Sequence, residues 1–165
     1  MCGIAGLIGL DTGKARPTLG RMVDRLHHRG PDGHGIWLSY TYSLGLGHTR
    51  LAILDTSDAG AQPMHLSDCD LHLVANGEIY NYPDLRSDLE GKYGITCASN
   101  CDSEIILHGY AHEGVDFFKR LNGMFAFALV DGAAGVMHLV RDRLGIKPVY
   151  TSTRDGVFVF ASEIK

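Results

Sequence analysis

The apolar positions of this chain fall into short runs separated by turn residues. Residues 2–8 are an apolar run at the very start and predict a strand. Leu19, Met22, Val23 and Leu26 recur at helical spacing and predict a helix that stops before Gly30-Pro31. Residues 35–40 and 44–54 predict strands, and so do residues 71–75, ending at Asn76-Gly77. Pro83 suits a first helical turn, with Leu85 and Leu89 then on one face. Asp102 and Ser103 are cap-like residues ahead of Ile105, Ile106, Leu107 and Tyr110. The last third is strand-rich. Residues 125–130 alternate large side chains on one face with mostly small ones on the other, and residues 136–140 and 157–160 are similar. A strand apolar on both faces must be covered on both faces. The pattern therefore predicts sheets packed on each other or under helices, and leaves the layer order open.

Length and composition narrow the class. A chain of 165 residues is one domain by size, here taken as 2–165. A net charge of −4 argues against a dedicated nucleic-acid binder. No run of about 18 apolar residues is present, so no membrane span is expected. The apolar start lacks a basic region ahead of it and does not read as a signal peptide. Four cysteines, at 2, 69, 97 and 101, are too few and too oddly spaced for a disulfide framework. Free thiols and a cytoplasmic location are the simplest reading. Glycines cluster where apolar runs end and read as turn punctuation.

Cys2 carries the most chemical information. Removal of Met1 would leave a thiol and a free α-amine on one residue. That amine, with an ordinary pKa of about 7.7–8.0, can act as base for its own side chain. An isolated Met-Cys start is more simply an ordinary thiol, but here the residue opens an apolar strand that would hold it. Four further segments have both an ordinary and a chemical reading. His28-Arg29-Gly30-Pro31-Asp32-Gly33 is turn chemistry. Arg50 lies in an apolar strand, either in a surface ion pair or as a planar fork for a carboxylate. Asn76-Gly77-Glu78 is either a turn or a two-donor oxyanion hole. Asp102 is either a helix cap or the counter-ion of an ammonium group.

Taken together, these segments resemble the class II, N-terminal nucleophile (Ntn) glutamine amidotransferase domain, most closely that of glutamine-hydrolysing asparagine synthetases. The resemblance rests on Cys2-Gly3-Ile4, His28-Arg29-Gly30-Pro31-Asp32, Arg50-Leu51-Ala52-Ile53, Gln62-Pro63-Met64 and Asn76-Gly77-Glu78-Ile79-Tyr80-Asn81-Tyr82. It continues through Asp102-Ser103-Glu104, residues 123–128, residues 141–148 and residues 160–165, in the family's order along the whole chain.

The resemblance implies an α+β fold, a four-layer αββα sandwich of two stacked, largely antiparallel sheets. It implies catalytic roles for Cys2, Asn76 and Gly77, with Asn76 (side chain) and Gly77 (backbone) as the oxyanion hole. It implies that Arg50 pairs with the α-carboxylate of L-glutamine and that Asp102 and Glu78 hold its α-ammonium. The backbone of Leu51 and Ile53 would line the same pocket. No cofactor or metal is implied in this domain. ATP and Mg²⁺ belong to the synthetase domain that follows in the family and makes asparagine from aspartate. That domain is expected in cis, the chain being a piece of a longer enzyme, or in trans. A full-length enzyme of this kind admits a homodimer, and neither nucleic acid nor membrane is an expected partner.

Thr49, Cys101, Val149 and Thr151 depart from the family pattern, none at a residue assigned to catalysis. Other readings are a subunit serving another ammonia acceptor, an Ntn amidase of different specificity, or a non-catalytic domain keeping the fold. His108 and His112, four apart on a predicted helix, read as ordinary helix residues. Cys97 and Cys101 read as incidental thiols.

Overall fold

A computed structural model describes residues 1–165, the side chain of Thr12 excepted. Nine strands form two antiparallel sheets. The first has the order β2 (Gly33–Ser39), β3 (Leu44–Arg50), β1 (Gly3–Ile8), β9 (Val157–Ala161), β8 (Tyr150–Arg154). The second has the order β4 (Met64–Leu66), β5 (Leu71–Ile79), β6 (Gly123–Asp131), β7 (Val136–Arg141). The helices are α1 (Thr12–Arg25), α2 (Tyr82–Tyr93) and α3 (Glu104–Glu113), with short 3₁₀ turns between elements.

Strand alternation sorts the side chains into three cores. Ala5 and Leu7 of β1 pack on Ala15, Leu19 and Leu26, under α1. Ile4, Leu46, Val74, Ala126, Ala128 and Phe160 fill the gap between the two sheets. Leu73, Phe125, Phe127 and Leu129 face Leu85, Leu89, Ile105 and Ile106 of α2 and α3. The layer order is therefore helix, sheet, sheet, helix, the expected αββα sandwich. The two faces of residues 125–130 explain themselves here. The large residues meet the helices, and the small ones let the sheets approach.

Several expectations need correction at element boundaries. The third strand stops at Arg50, so residues 51–54 leave the sheet and become available to a cleft. Leu71–Ile79 runs straight through Asn76-Gly77, so this pair is not a turn. Gly45 and Gly47 lie inside β3 rather than at a turn. At Gly47 a Cβ would stand 2.5 Å from Val23 Cγ2, so α1 can lie on the sheet only over a bare backbone. The strands β4 and β8 were not foreseen; both are short and weakly patterned. Among the described residues, no helix is long and apolar enough to cross a membrane.

β1 lies in the middle of its sheet, between β3 and β9, which holds the start of the chain rigidly. The Ile4 N–H donates to Ser162 Oγ at 2.9 Å, and the Ser162 N–H returns to the Ile4 carbonyl at 2.9 Å. Ser162 is fully buried, so neither bond competes with water.

Candidate active site

All eight residues singled out in the sequence line one cleft of about 620 Å³, part of it open to solvent. They are Cys2, Arg50, Leu51, Ile53, Asn76, Gly77, Glu78 and Asp102. They come from the head of β1, the end of β3, the following loop, the second half of β5 and the approach to α3.

Cys2 sits at the head of the central strand. Its Sγ accepts from the Leu51 N–H at 3.4 Å and lies 3.7 Å from the Leu51 carbonyl. The Cys2 carbonyl accepts from Arg29 Nε at 3.0 Å, and Arg29 Nη1 pairs with Glu163 at 2.9 Å. Lys165, then Arg29 and His28, hold the Glu163 carboxyl down at about 2. The block from His28 to Asp32 is thus more than a turn. Arg29 clamps the Cys2 backbone, and Asp32 Oδ2 accepts from the Ala52 N–H at 2.9 Å, fixing the loop that holds the thiol.

Asn76 is 1 % exposed, and neither its Nδ2 nor its Oδ1 has a hydrogen-bond partner. A buried amide without partners costs free energy. Asn76 is also one of the residues that line the cleft. Beside it, Gly77 has φ 152°, and a Cβ there would stand 2.1 Å from the Met124 carbonyl oxygen. Only glycine fits at that approach of β5 to β6.

Arg50 Nη1 donates to the Ser57 carbonyl at 2.8 Å and Nη2 to the Asp55 carbonyl at 2.5 Å. A guanidinium has five N–H donors, so donors remain for a ligand after the fork is held. The Asp55 carboxylate accepts from Ser57 and from the Asn100 N–H at 2.8 Å, and these bonds lower its pKa to about 2. Asp55 thereby ties the Arg50 loop to the segment carrying Asp102.

Asp102 does not cap α3. Its Oδ2 accepts from the Ile79 N–H at 2.6 Å, and Ser103 stands at the cap position, its Oγ donating to Asp102 Oδ1 at 3.4 Å rather than capping the helix. Burial pushes the Asp102 carboxyl up, against the hydrogen bonds that favour its ionised form, and Glu78 adds like charge. Folding thus favours the neutral acid more than an exposed carboxyl does. The stability Asp102 contributes is full below the ordinary carboxylate range and is lost as pH rises through the raised value. Asp102→Asn keeps an acceptor for Ile79 and removes that cost. At pH 7 its melting temperature is expected to equal or exceed the parent's. A thermal melt checks this, and a clear drop in melting temperature would show the charge to be structural.

Three further cleft residues, His48, Gln62 and Lys147, have no role assigned from the sequence, although Gln62 and Lys147 lie in blocks that carry the resemblance. His48 is 1 % exposed and its ring Nε2 lies 3.2 Å from the Ala75 carbonyl, bridging the two sheets beside Asn76. Because a carbonyl only accepts, Nε2 carries the hydrogen. Burial lowers the His48 pKa to about 4, so the ring is neutral near pH 7. Gln62 Oε1 accepts from the Ala75 N–H at 2.6 Å. Lys147 is 4 % exposed with Nζ 2.9 Å from Met1 Sδ. Asp142 places it, accepting backbone N–H bonds from Phe125, Leu144, Ile146 and Lys147.

The two departures nearest the cleft also have places. Thr49 Oγ1 donates to the Leu26 carbonyl at 3.2 Å, joining β3 to the end of α1. Cys101 lines the cleft beside Asp102, and burial raises its thiol pKa. All four cysteines are free. The helix histidines do not share a site: His108 faces Glu104 at 3.4 Å, and His112 stacks on Tyr93 with centroids 4.2 Å apart.

A four-layer αββα sandwich with a thiol at the head of a central strand defines the class of N-terminal nucleophile folds. The profile of the glutamine amidotransferase domain family matches residues 1–165, and the chain belongs to that family. Asparagine synthetase 3 (glutamine-hydrolysing) of Bacillus subtilis is 37 % identical over 169 residues, covering 100 % of this chain and 27 % of the relative. The amidase chry2 of Gibberella zeae is 36 % identical over 176 residues, covering 100 % of this chain and 26 % of the relative. The solved structure of glutamine phosphoribosylpyrophosphate amidotransferase from B. subtilis superposes with a TM-score of 0.80 at 23 % identity. That match covers 98 % of this chain and 42 % of the other, and supports the fold. The chain spans about a third or less of the length of the curated relatives it matches.

Proposed function

We propose that this domain hydrolyses L-glutamine to glutamate and ammonia through a γ-glutamyl thioester on Cys2. The observation that carries the reading is the unpartnered, buried Asn76 amide in the cleft that also holds the Cys2 thiol. Once Met1 is removed, the α-amine of Cys2 takes the thiol proton and Sγ attacks the substrate's carboxamide carbon. The oxyanion of the tetrahedral intermediate is met by Asn76 Nδ2 and the Gly77 N–H. Collapse breaks the C–N bond, and the amine returns its proton to the departing ammonia. Water then attacks the thioester, again with the amine as base, and releases glutamate. Met1 also lines the cleft, so its removal both frees the amine and widens the entrance.

Arg50 at one end and Asp102 with Glu78 at the other give the cleft opposite charges suited to an α-carboxylate and an α-ammonium. Leu51 holds the thiol through its backbone, and Ile53 forms part of the rim. The ammonia serves an ATP-dependent synthetase unit, in cis or in trans, that amidates aspartate. ATP and Mg²⁺ would act there, and a cytoplasmic setting suits free thiols and that chemistry. The B. subtilis asparagine synthetase relative supports this acceptor. The amidase relative keeps a second reading open, an Ntn amidase acting on another amide, and the charged clamp separates the two.

Arg50→Ala and Asp102→Ala are each expected to lower kcat/KM for glutamine at least about tenfold. Breaking a partly desolvated charge pair from one side costs about 2–5 kcal/mol. N-acetylglutamine and glutamine amide should be poor substrates of the parent chain, each failing at one end. If Asp102→Ala loses no more activity on glutamine than on N-acetylglutamine, Asp102 does not read the ammonium group.

A further inference from the structure

Away from the cleft, β4 and β5 place two histidines in direct register, His65 opposite His72. Their neighbours Met64, Leu66, Leu71 and Leu73 turn to the helix-side core, so both imidazoles share the opposite face. The rings are stacked with centroids 4.2 Å apart and planes 5° apart. Trp37 stacks on the other side of His72 at 3.7 Å, which fixes that ring and leaves one approach to it. Asp70 completes the cluster. Its backbone has φ 50°, with its N–H bonded to the Ser67 carbonyl and its carbonyl to the Gly132 N–H. So held, its Oδ1 lies 3.1 Å from His72 Nε2. Ser67 Oγ lies 3.4 Å from His65 Nδ1, which leaves His65 Nε2 free.

We propose that His65, Asp70 and His72 form a binding site for a divalent transition cation of zinc's class. One ligand atom from each residue lies within 4.8 Å of the other two. Ligand atoms around tetrahedral zinc stand about 3.4 Å apart, given bonds near 2.0–2.1 Å. The cluster must therefore close by at most about 1.4 Å, and because a metal lies in the plane of each imidazole that binds it, the exposed His65 ring must also turn out of its parallel stack on His72. Two imidazoles and one carboxylate suit zinc, cobalt or nickel better than magnesium or calcium, which favour all-oxygen shells. Both His65 and Asp70 are exposed, so a water can take the fourth position. The cation would cross-link the edge strand β4 to β5. Its direct effect is structural, and it takes no part in the chemistry at Cys2. β4 begins two residues after Gln62, so the staple would also steady the segment that buttresses Ala75 beside Asn76.

Thiols also take up zinc, so the test removes them. In a Cys2→Ala, Cys69→Ser, Cys97→Ala, Cys101→Ser chain, calorimetric titration with Zn²⁺ should show one site. His65→Ala in that background should abolish it, and Asp70→Asn should weaken it roughly tenfold or more. No binding by the thiol-free chain, or binding unchanged by His65→Ala, would overturn the proposal. A second measurement uses the unaltered chain, in case the multiple variant folds poorly. On adding Co²⁺, the histidine ring NMR signals of His65 and His72 should broaden first. Earlier broadening at His108, or none at any histidine, would equally overturn it.

Discussion

The Cys2→Ala chain is expected to hydrolyse glutamine at no measurable rate, a loss of at least about 10⁴-fold. The proposed reaction gives Cys2 a role that no other group in the cleft can take. Its stability should barely change, because β1 begins at Gly3 and the thiol's contacts are a 3.4 Å and a 3.7 Å approach to Leu51. Cys2→Ser should retain very little activity, since a hydroxyl is far less acidic than a thiol. A chain extended at its N-terminus so that Met1 is retained should be as inactive as Cys2→Ala. Its Cys2 nitrogen is an amide, which cannot serve as the base. Glutamate release assays on the three proteins, with thermal melts alongside, check these outcomes together.

Asn76→Ala should lower kcat by about 10²–10³-fold and leave KM for glutamine nearly unchanged, corresponding to roughly 2.7–4 kcal/mol of transition-state stabilisation. The accompanying stability change separates this from a folding defect. Both amide atoms of Asn76 are buried without partners, so alanine removes an unmet polar group and breaks no hydrogen bond. The melting temperature should hold or rise while turnover falls. A loss confined to KM would place Asn76 in ground-state binding instead.

The strands of the cores were legible because their two faces differ in residue size. Phe125, Phe127 and Leu129 against Ala126 and Ala128 already encode a helix layer on one side and a sheet on the other. The layer order was not legible from periodicity, since either face could have met either partner. It came from the family resemblance. Boundaries failed where backbone geometry serves the cleft. Leu51–Ile53 looks like strand but leaves the sheet to hold the thiol, and Asn76-Gly77 looks like a turn but stays extended against β6. The candidate site was legible as a set of motifs. Their roles depend on contacts between residues far apart in sequence. Arg29 on the Cys2 carbonyl, Asp55 joining Ser57 to Asn100, and His48 on Ala75 leave no pattern along the chain. Asp102 shows the limit most clearly. Its place before α3 reads as a cap, yet its carboxylate is turned to Ile79 and the cleft.

The most direct test of the account is intact-mass and fragmentation mass spectrometry of the chain mixed with glutamine and quenched in acid. The chain should lack Met1 and carry one glutamyl group as a thioester on Cys2, and Asn76→Ala should accumulate less of it. Full turnover by protein retaining Met1, or a glutamyl adduct on any other residue, would contradict it.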